Sequence, residues 1–408
     1  MYIDTPASLA KLTEALRDSL TRDPRLAFDT EFIRERTYAP VLEIVQVATG
    51  DGSVIAIIDV PALGGDLGGV GELMLVPSIL KLVHAGGQDM EILASRLGAL
   101  PTPVFDTQVA AAFTGHSIQT GYGNLVLALL NVRLNKDEGF ADWSRRPLTP
   151  SMREYAENDV RYLPTLHTKL AAFLEKRGRS QWAQEQTDRL LMTAAEETAP
   201  EDLWRRVGGR NILDARGLAI LRELALWRDE EARRRDKPRR SVVKDDFLIE
   251  LSRRAPRSAA DILALRSAPH SLGEKAATVL ADRIQNGLAV PPAERPLPEN
   301  PPALDEQGSV LVELLTALIR ARALESDLPS TLIANGDDLR SLAALRGRRN
   351  DAALRDHPLL NGWRGSLVGD SLRGLLAGQL AIGWDSKRNR LKMLPVGEPV
   401  EENDQDSE

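Results

Sequence analysis

Residues 26–32 read Leu-Ala-Phe-Asp-Thr-Glu-Phe, a short apolar run that leads into two acids at a spacing of two. The apolar part follows Asp23-Pro24 and predicts a buried strand. Side chains two apart in a strand lie on the same face, so the carboxylates of Asp29 and Glu31 should lie side by side. Their repulsion and lost hydration need an offset, and a divalent cation such as Mg²⁺ would supply it. The alternative is a pair of solvated acids at a strand end.

The composition sets limits on the class of protein. A chain of 408 residues predicts two to four domains. No apolar run is long enough to span a bilayer, and the N-terminus shows no signal-peptide pattern, so we expect no membrane association. Cysteine is absent, which excludes disulfides, thiolate zinc sites and a cysteine nucleophile. These features fit a cytoplasmic protein.

The charge is unevenly distributed along the chain. The net charge is −7, yet residues 205–257 carry sixteen Lys and Arg against nine Asp and Glu, a local charge of +7. An acidic body with one basic segment differs from a uniformly acidic protein, so the negative net charge does not by itself exclude binding to nucleic acid.

The first part of the chain mixes strands with helices. Strands are predicted for 26–29, 41–48, 53–60 and 104–106, with an Asp51-Gly52 hairpin turn between the second and third. Helical patterns occupy 4–20, 88–97 and 107–113, and a short apolar run lies at 80–84. This order predicts an α/β layered domain whose mixed sheet contains a hairpin.

Strand signals nearly vanish after residue 150. Helical patterns cover 151–170 and 180–196 and continue to about residue 288. Six prolines between residues 291 and 302 then predict a semi-rigid linker over 290–304. A second helical block is expected at 305–386, followed by a disordered acidic tail at 387–408.

The two helical blocks share an order of features. In the first, a long helix over 218–235 precedes Asp236-Lys-Pro and then Asp245-Asp246. In the second, a helix over 311–324 precedes Asp327-Leu-Pro and then Asp337-Asp338. The shared order and spacing predict divergent copies of one module.

Three further residues join the paired acids. Asp89 lies at the start of a predicted helix, where the helix dipole alone could favour an acid. Tyr155 and Asp159 are four residues apart and therefore lie on one face of a helix. Taken singly, Tyr155 could be a core residue and Asp159 a solvated surface acid. Taken together with Asp29 and Glu31, they form an ordered Asp-x-Glu, Asp, Tyr-x-x-x-Asp pattern.

This pattern resembles the DEDD exonucleases that carry a tyrosine in the third motif. The connecting sequence resembles ribonuclease D, and the two helical copies resemble its HRDC modules. The stretches that carry the resemblance are 29–38 (Asp-Thr-Glu-Phe-Ile-Arg-Glu-Arg-Thr-Tyr), Gln46-Val-Ala, Asp106-Thr-Gln, Gly121-Tyr-Gly and 142–148 (Asp-Trp-Ser-Arg-Arg-Pro-Leu). Glu43 departs from the family pattern, which leads us to expect a neutral residue there.

The resemblance implies a fold and a domain order. It implies an α/β ribonuclease H-like exonuclease domain with a mixed sheet, followed by two all-α HRDC-like modules. The domains would be the exonuclease at 1–172, a helical connector at 173–207, HRDC domain 1 at 208–289 and an HRDC-like domain 2 at 305–386.

The resemblance also implies an activity. The chain would be a metal-dependent 3′–5′ exoribonuclease that releases nucleoside 5′-monophosphates and trims 3′ extensions of tRNA precursors, using two Mg²⁺ or Mn²⁺ ions. Asp29 would bridge both ions, Glu31 and Asp159 would complete the water-activating site, and Asp89 the other site. Tyr155 would orient the attacking water. The alternatives are a DNA exonuclease of the same superfamily and a catalytically idle RNA-binding scaffold.

Eight further residues are candidates for contacts with RNA. Phe32 could stack on the terminal base or sugar, or pack against the sheet. A group comprising Trp143, Arg145 and Arg146 could flank the RNA path, or form a surface-loop cluster. A basic group could contact phosphates, unless it is only a solvated charged face. Its members are Arg233, Arg234, Arg239 and Arg240.

Overall fold

A computed structural model of the chain describes residues 1–135, 138–139, 141–195, 198–298, 303–348 and 352–396. The N-terminal domain contains a six-stranded sheet in the order β1-β4-β3-β2-β5-β6. Its strands are β1 (Tyr2–Ile3), β2 (Arg25–Ile33), β3 (Val41–Thr49), β4 (Ile55–Asp59), β5 (Leu80–Val83) and β6 (Val104–Asp106). β3 runs antiparallel to β2 and β4, and the remaining pairs are parallel. The predicted mixed sheet with a hairpin is confirmed.

Helices cover both faces of this sheet. The first eight are α1 (Pro6–Leu20), α2 (Gly68–Leu75), α3 (Gly87–Leu97), α4 (Thr107–Ala112), α5 (Tyr122–Leu130), α6 (Pro150–Arg161), α7 (Leu163–Lys176) and α8 (Ser180–Ala195). α1, α2 and α3 pack on the face of β2 that carries Leu26 and Phe28. α6 and α7 pack on the opposite face, against Ala27 of β2. Since side chains alternate along a strand, Asp29 and Glu31 belong to the face that α6 covers.

The helical pattern predicted over 151–170 is confirmed, although the chain forms two helices there, α6 and α7, with a break at Tyr162. The hydroxyl of Tyr122 donates to the carbonyl of Asn158 at 2.8 Å and accepts from the amide of Tyr162 at 3.3 Å. These two backbone groups would otherwise pair as one turn of helix. Pro164 adds a local cause, because it has no N–H to continue the ladder.

The remaining helices form two modules with the same beginning. The first comprises α9 (Ala215–Arg235), α10 (Arg239–Val242), α11 (Asp245–Arg254), α12 (Ala259–Leu263) and α13 (Glu274–Ala289); the second comprises α14 (Glu306–Ser326), α15 (Ser330–Ile333), α16 (Gly336–Ala344), α17 (Ala352–Arg355), α18 (Gly362–Arg364) and α19 (Asp370–Leu376). α9 and α14 both have 21 residues and an aspartate N-cap, and both end at a left-handed aspartate. This parallel agrees with two copies of one module.

The two modules have different cores. The first has its own core, which also includes Leu203 and Trp204 from the segment predicted as a connector. The second shares a continuous core with α4, α5, α7 and α8 of the N-terminal domain. At the centre of that joint, the rings of Phe113 and Trp363 meet edge to face at 4.9 Å.

A β-hairpin follows the second module. β7 (Leu380–Asp385) pairs with β8 (Arg390–Pro395), and Ile382 and Met393 pack against the shared core. The prediction of a disordered tail from residue 387 is therefore wrong as far as residue 396, because apolar side chains on one face of the hairpin find a place to be buried. Residues 397–408 of the predicted tail and Pro301-Pro302 of the predicted linker lie outside the described residues. Among the helices that are described, none is both long and apolar enough to cross a bilayer.

Candidate active site

Three carboxylates meet on the α6 face of the sheet. Asp29 and Glu31 project from β2, and Asp159 projects from the last turn of α6. Each offers one oxygen, and the three oxygens lie within 4.8 Å of one another. An all-carboxylate oxygen cluster of this size is the ligand type that a hard divalent cation prefers.

Asp89 approaches the same strand from the opposite side. It lies in the first turn of α3, is 8% exposed, and accepts a hydrogen bond from the hydroxyl of Thr30. Thr30 stands between Asp29 and Glu31 and therefore points to the other face of β2. Asp89 is thus held at the strand by a partner of its own, next to the other three carboxylates but not among them.

Burial and neighbouring negative charges raise the pKa values of these carboxylates. Burial first, and then the charges of Asp89, Asp159 and Glu31, raises the pKa of Asp29 well above its usual range. Burial followed by the charges of Asp159 and Asp89 raises the pKa of Glu31 to about 8, and burial followed by the charge of Asp89 raises the pKa of Asp159 to about 7. Without a cation the site therefore retains protons at neutral pH, and a cation would displace them.

Tyr155 lies one helical turn before Asp159. It is half-buried, and its ring lies 6.0 Å from that of Trp143. Burial, and then the charges of Asp159, Glu31 and Asp29, raises the pKa of its phenol. The hydroxyl therefore stays protonated at neutral pH and faces the carboxylate cluster, with no hydrogen bond to any described residue.

A buried side-chain amide lies beside Asp29, at a residue that was not predicted to belong to the site. Gln46 is directly opposite Asp29 in the pairing of β2 with β3, and its side chain is fully buried. Among the described residues, neither its amide nitrogen nor its amide oxygen has a hydrogen-bond partner. A buried polar group without a partner is costly, so its position beside the carboxylates suits a site that gains a ligand. The signal in the sequence is a lone glutamine within the apolar run of β3.

Asp106 supports the loop that leads to Asp89, and this role was not predicted from the sequence. Its carboxylate accepts hydrogen bonds from the amides of Ala85 and Gly86, each at 3.0 Å. The same carboxylate caps α4 by accepting from the amide of Gln108 at 2.8 Å. One side chain therefore fixes both the start of α4 and the entry to α3.

Two of the predicted RNA contacts are wrong. Trp143 is 4% exposed and packs in a core with Ile44 and Met152, because the turn before α6 folds onto the sheet. Arg146 binds the buried carboxylate of Asp59 and lies 3.6 Å from that of Glu43. Both residues stabilise the α6 side of the sheet, and Glu43 is the acid that departed from the family pattern.

Arg145 and Phe32 lie where solvent can reach them. The side chain of Arg145 is 81% exposed, and its one ion pair with a described residue is a long one to Asp142, at 3.6 Å. Phe32 is half-buried against the main core, and the guanidinium of Arg34 lies 4.9 Å from its ring centre. Both alternatives for Phe32, stacking on RNA and packing on the sheet, stay open.

The basic group of the first module is paired within the chain. Arg234 bonds Glu231, and Arg240 bonds Asp245. Arg233 and Arg239 both bond Asp229, at 2.9 and 2.5 Å. Each guanidinium therefore has a carboxylate partner, and the predicted contact with phosphates, which stays a prediction, would have to replace these ion pairs.

Arg233 and Arg239 also join the first module to the N-terminal domain. Their guanidinium carbons lie 5.1 and 4.8 Å from the ring centre of Tyr38, which belongs to the loop between β2 and β3. The Tyr38 hydroxyl donates to Asp229 at 2.8 Å, and the Tyr38 amide donates to Asp236 at 3.1 Å. We call this set of contacts the Tyr38 clamp. It attaches the first module to the N-terminal domain at a residue that follows Glu31 by seven positions in the chain.

Comparisons with known proteins match both parts of this architecture. The 3′–5′ exonuclease family matches residues 1–175, and the HRDC domain matches residues 217–284. Ribonuclease D of Acidiphilium cryptum is 37% identical over 97% of both chains, and that of Nitrobacter hamburgensis is 38% identical over 95% of this chain and 97% of the other. The crystal structure of Escherichia coli RNase D, described as an exoribonuclease involved in structured RNA processing, is 32% identical with a TM-score of 0.80 and covers 93% of this chain and 98% of that one.

Proposed function

Because this chain belongs to the ribonuclease D family of 3′–5′ exoribonucleases, we propose that it trims 3′ extensions of structured RNAs, in particular tRNA precursors. It would release one nucleoside 5′-monophosphate at each step. The observation that carries the proposal is the cluster of Asp29, Glu31 and Asp159, with their oxygens within 4.8 Å, together with Asp89 held beside them.

The four carboxylates are the proposed ligands of two divalent cations. Asp29 would contact both, Glu31 and Asp159 would complete one site, and Asp89 the other. When bound, such ions neutralise charge on the attacking and leaving oxygens of a phosphodiester. The fit rests on the donor set, which is all oxygen, and on the unpaired amide of Gln46 beside it.

Tyr155 is the proposed partner of the attacking water. Its phenol keeps its proton because burial and the neighbouring carboxylates raise its pKa. A neutral hydroxyl on the helix of Asp159 can donate to and accept from a water without acting as its base. Its role is to hold that water in line with the phosphorus atom.

The arrangement argues against an idle RNA-binding scaffold. Carboxylates that are buried together and repel one another reduce the stability of the folded protein. A scaffold would gain nothing from keeping four of them at one strand. An enzyme that recruits cations uses the same repulsion to bind them.

A matched set of substrates tests the proposal. Single-stranded RNA, single-stranded DNA of the same sequence and a tRNA with a 3′ extension, each labelled at the 5′ end, are incubated with Mg²⁺, Mn²⁺ or EDTA. We expect stepwise shortening of the RNAs with either metal, nucleoside 5′-monophosphate as the product, and no hydrolysis in EDTA. Faster hydrolysis of the DNA would replace the proposed substrate, and hydrolysis in EDTA would exclude the cation assignment.

A further inference from the structure

The hairpin of β7 and β8 concentrates positive charge at the C-terminal end of the described chain. Residues 380–396 contain four cations and one acid. The cations are Lys387, Arg388, Arg390 and Lys392, which lie in the turn and along β8. The acid, Asp385, is engaged locally, because its carboxylate accepts hydrogen bonds from the amides of Lys387 and Arg388, both at 3.1 Å.

The four hairpin cations differ from most arginines of the described chain in having no carboxylate partner. Within the described residues, none of them forms an ion pair. Arg390 and Lys392 are exposed, so their charges face solvent. Unpaired charge can be transferred to a polyanion without first breaking an intramolecular ion pair.

The hairpin also presents an aromatic ring. The pairing of Trp384 with Leu391 and of Ile382 with Met393 places these four side chains on one face. Ile382 and Met393 anchor that face to the shared core, whereas Trp384, nearer the turn, is 61% exposed. The opposite face carries Arg390 and Lys392. The ribbon therefore has an anchored base and a free end with cations and an exposed indole.

We propose that this hairpin is an RNA-binding ribbon that holds the body of the structured substrate while its 3′ end is at the carboxylate cluster. The cations would contact phosphates, and Trp384 would stack on an unpaired base. RNA is the partner that fits, because the hairpin belongs to an exoribonuclease and combines free cations with an exposed aromatic ring. The inference rests on the proposed function for the identity of the substrate.

The test measures binding of a 3′-extended tRNA in an Asp29→Asn background, so that no RNA is consumed. In one variant Lys387, Arg388, Arg390 and Lys392 are all replaced by Ala. We expect each lost phosphate contact to flatten the plot of log affinity against log salt by roughly 0.7–0.9. Trp384→Ala alone should weaken binding about 5- to 100-fold with little change in slope.

A charge-matched variant is the control. Arg17, Arg22, Arg205 and Arg254 are exposed, each is paired with a carboxylate, and all four are replaced by Ala. It removes the same charge from the chain, so an equal loss of slope in both variants would overturn the proposal. Circular dichroism and the melting temperature establish that each variant is folded. The RNA should also quench the fluorescence of wild-type protein more than that of Trp384→Phe.

Two other outcomes would overturn the proposal. An unchanged salt slope in the hairpin variant would show that the cations are neutralised elsewhere, for example by the acids that follow residue 396. Lost binding to vesicles containing phosphatidylglycerol, with RNA binding intact, would assign the hairpin to a membrane surface. Hydrolysis of a short oligonucleotide by wild-type protein separates this proposal from the proposed function: failure of that reaction would refute the latter and leave the binding result in force.

Discussion

The basic segment of the first module and the C-terminal hairpin have opposite relations between sequence and structure. The segment from Arg233 to Arg240 has the densest positive charge in the chain, yet its arginines are paired with Asp229, Glu231 and Asp245. The hairpin has fewer cations and none of them is paired among the described residues. The number of cations in a stretch therefore does not measure the charge available to a ligand, because cations that are paired with carboxylates of the same chain are already neutralised.

The difference has a simple geometric cause. Arg233, Arg234 and Arg235 lie on a helix that places acids three or four residues before them, within reach of their guanidinium groups. A two-stranded ribbon offers only the residue opposite and its diagonal neighbours. In the hairpin the residue opposite Arg390 is Asp385, and the turn amides of Lys387 and Arg388 hold one of its carboxylate oxygens.

The largest effect should come from removing the chemistry while leaving both basic regions intact. Asp29→Asn should reduce RNA hydrolysis to the background rate, because the residue is the proposed ligand of both cations. RNA affinity should change little, and the melting temperature without metal should stay level or rise, since one source of repulsion is removed. Measurable turnover in saturating Mg²⁺ would refute the assignment.

A smaller loss is expected for Tyr155→Phe. Without the hydroxyl the attacking water loses its partner, and turnover should fall by about 10²-fold. The Mn²⁺ affinity measured by calorimetry should stay the same, because the phenol is not a proposed ligand. Wild-type turnover in this variant would reduce Tyr155 to a packing residue beside Trp143.

The Tyr38 clamp tests whether the paired arginines serve docking rather than RNA binding. Tyr38→Ala removes two cation–π contacts and the hydrogen bond to Asp229, which together contribute roughly 2–4 kcal/mol to docking. We expect faster limited proteolysis between the domains and a larger radius of gyration in solution.

Tyr38→Phe is the matched control for the clamp, because it keeps the ring and loses only the hydroxyl. It should have an intermediate effect on both measurements. Unchanged proteolysis and scattering in the Ala variant would return Arg233 and Arg239 to the role of a free cationic face.

The carboxylate cluster should also make the stability of the metal-free protein decrease as the pH rises. The folded-state pKa values of Glu31 and Asp159, about 8 and about 7, lie above those of an unfolded chain. The folded protein therefore binds protons more tightly, and its stability without metal should fall as pH rises from 5 to 8. Mg²⁺ should restore the melting temperature at pH 8 more than at pH 5.

Replacing both acids, with Glu31→Gln and Asp159→Asn, is the control for the pH dependence. It should remove most of the slope between pH 5 and 8 in EDTA. A wild-type melting temperature that rises across this range without metal would contradict the raised pKa values.

The smallest effect is expected at the paired arginines of the first module. Arg234→Ala combined with Arg240→Ala breaks two exposed ion pairs, each of which contributes about 0–1 kcal/mol to stability. The salt dependence of tRNA binding should be unchanged, in contrast to the hairpin variant. A slope flattened by roughly 0.7–0.9 for each residue would show that these arginines exchange their acids for phosphates.

The parts of the fold that the sequence predicted are those determined locally. The strand that begins at residue 26, the side-by-side placement of Asp29 and Glu31, and the family itself followed from spacing and pattern. The break after α6 depends on Tyr122, which lies 36 residues before Asn158 in the chain. Pro164 is the local sequence signal for this break. The burial of Trp143 and the pairing of Arg239 with Asp229 depend on tertiary contacts that no pattern shows.

The C-terminal hairpin could have been predicted from the sequence but was not. Ile382, Trp384, Leu391 and Met393 follow the alternation of a strand pair. The expectation of a helical block followed by an acidic tail concealed this short signal.

The core shared by the second module and the N-terminal domain sets the order of events during protein synthesis. Phe113 leaves the ribosome 250 residues before its partner Trp363. At ~5–20 residues per second this interval lasts roughly 12–50 seconds. Once α7 has emerged, the sheet and all four carboxylates are already out, but α4, α5 and α7 still lack the apolar residues of the second module that cover them. The nascent chain therefore completes its catalytic strand early and covers this apolar surface late.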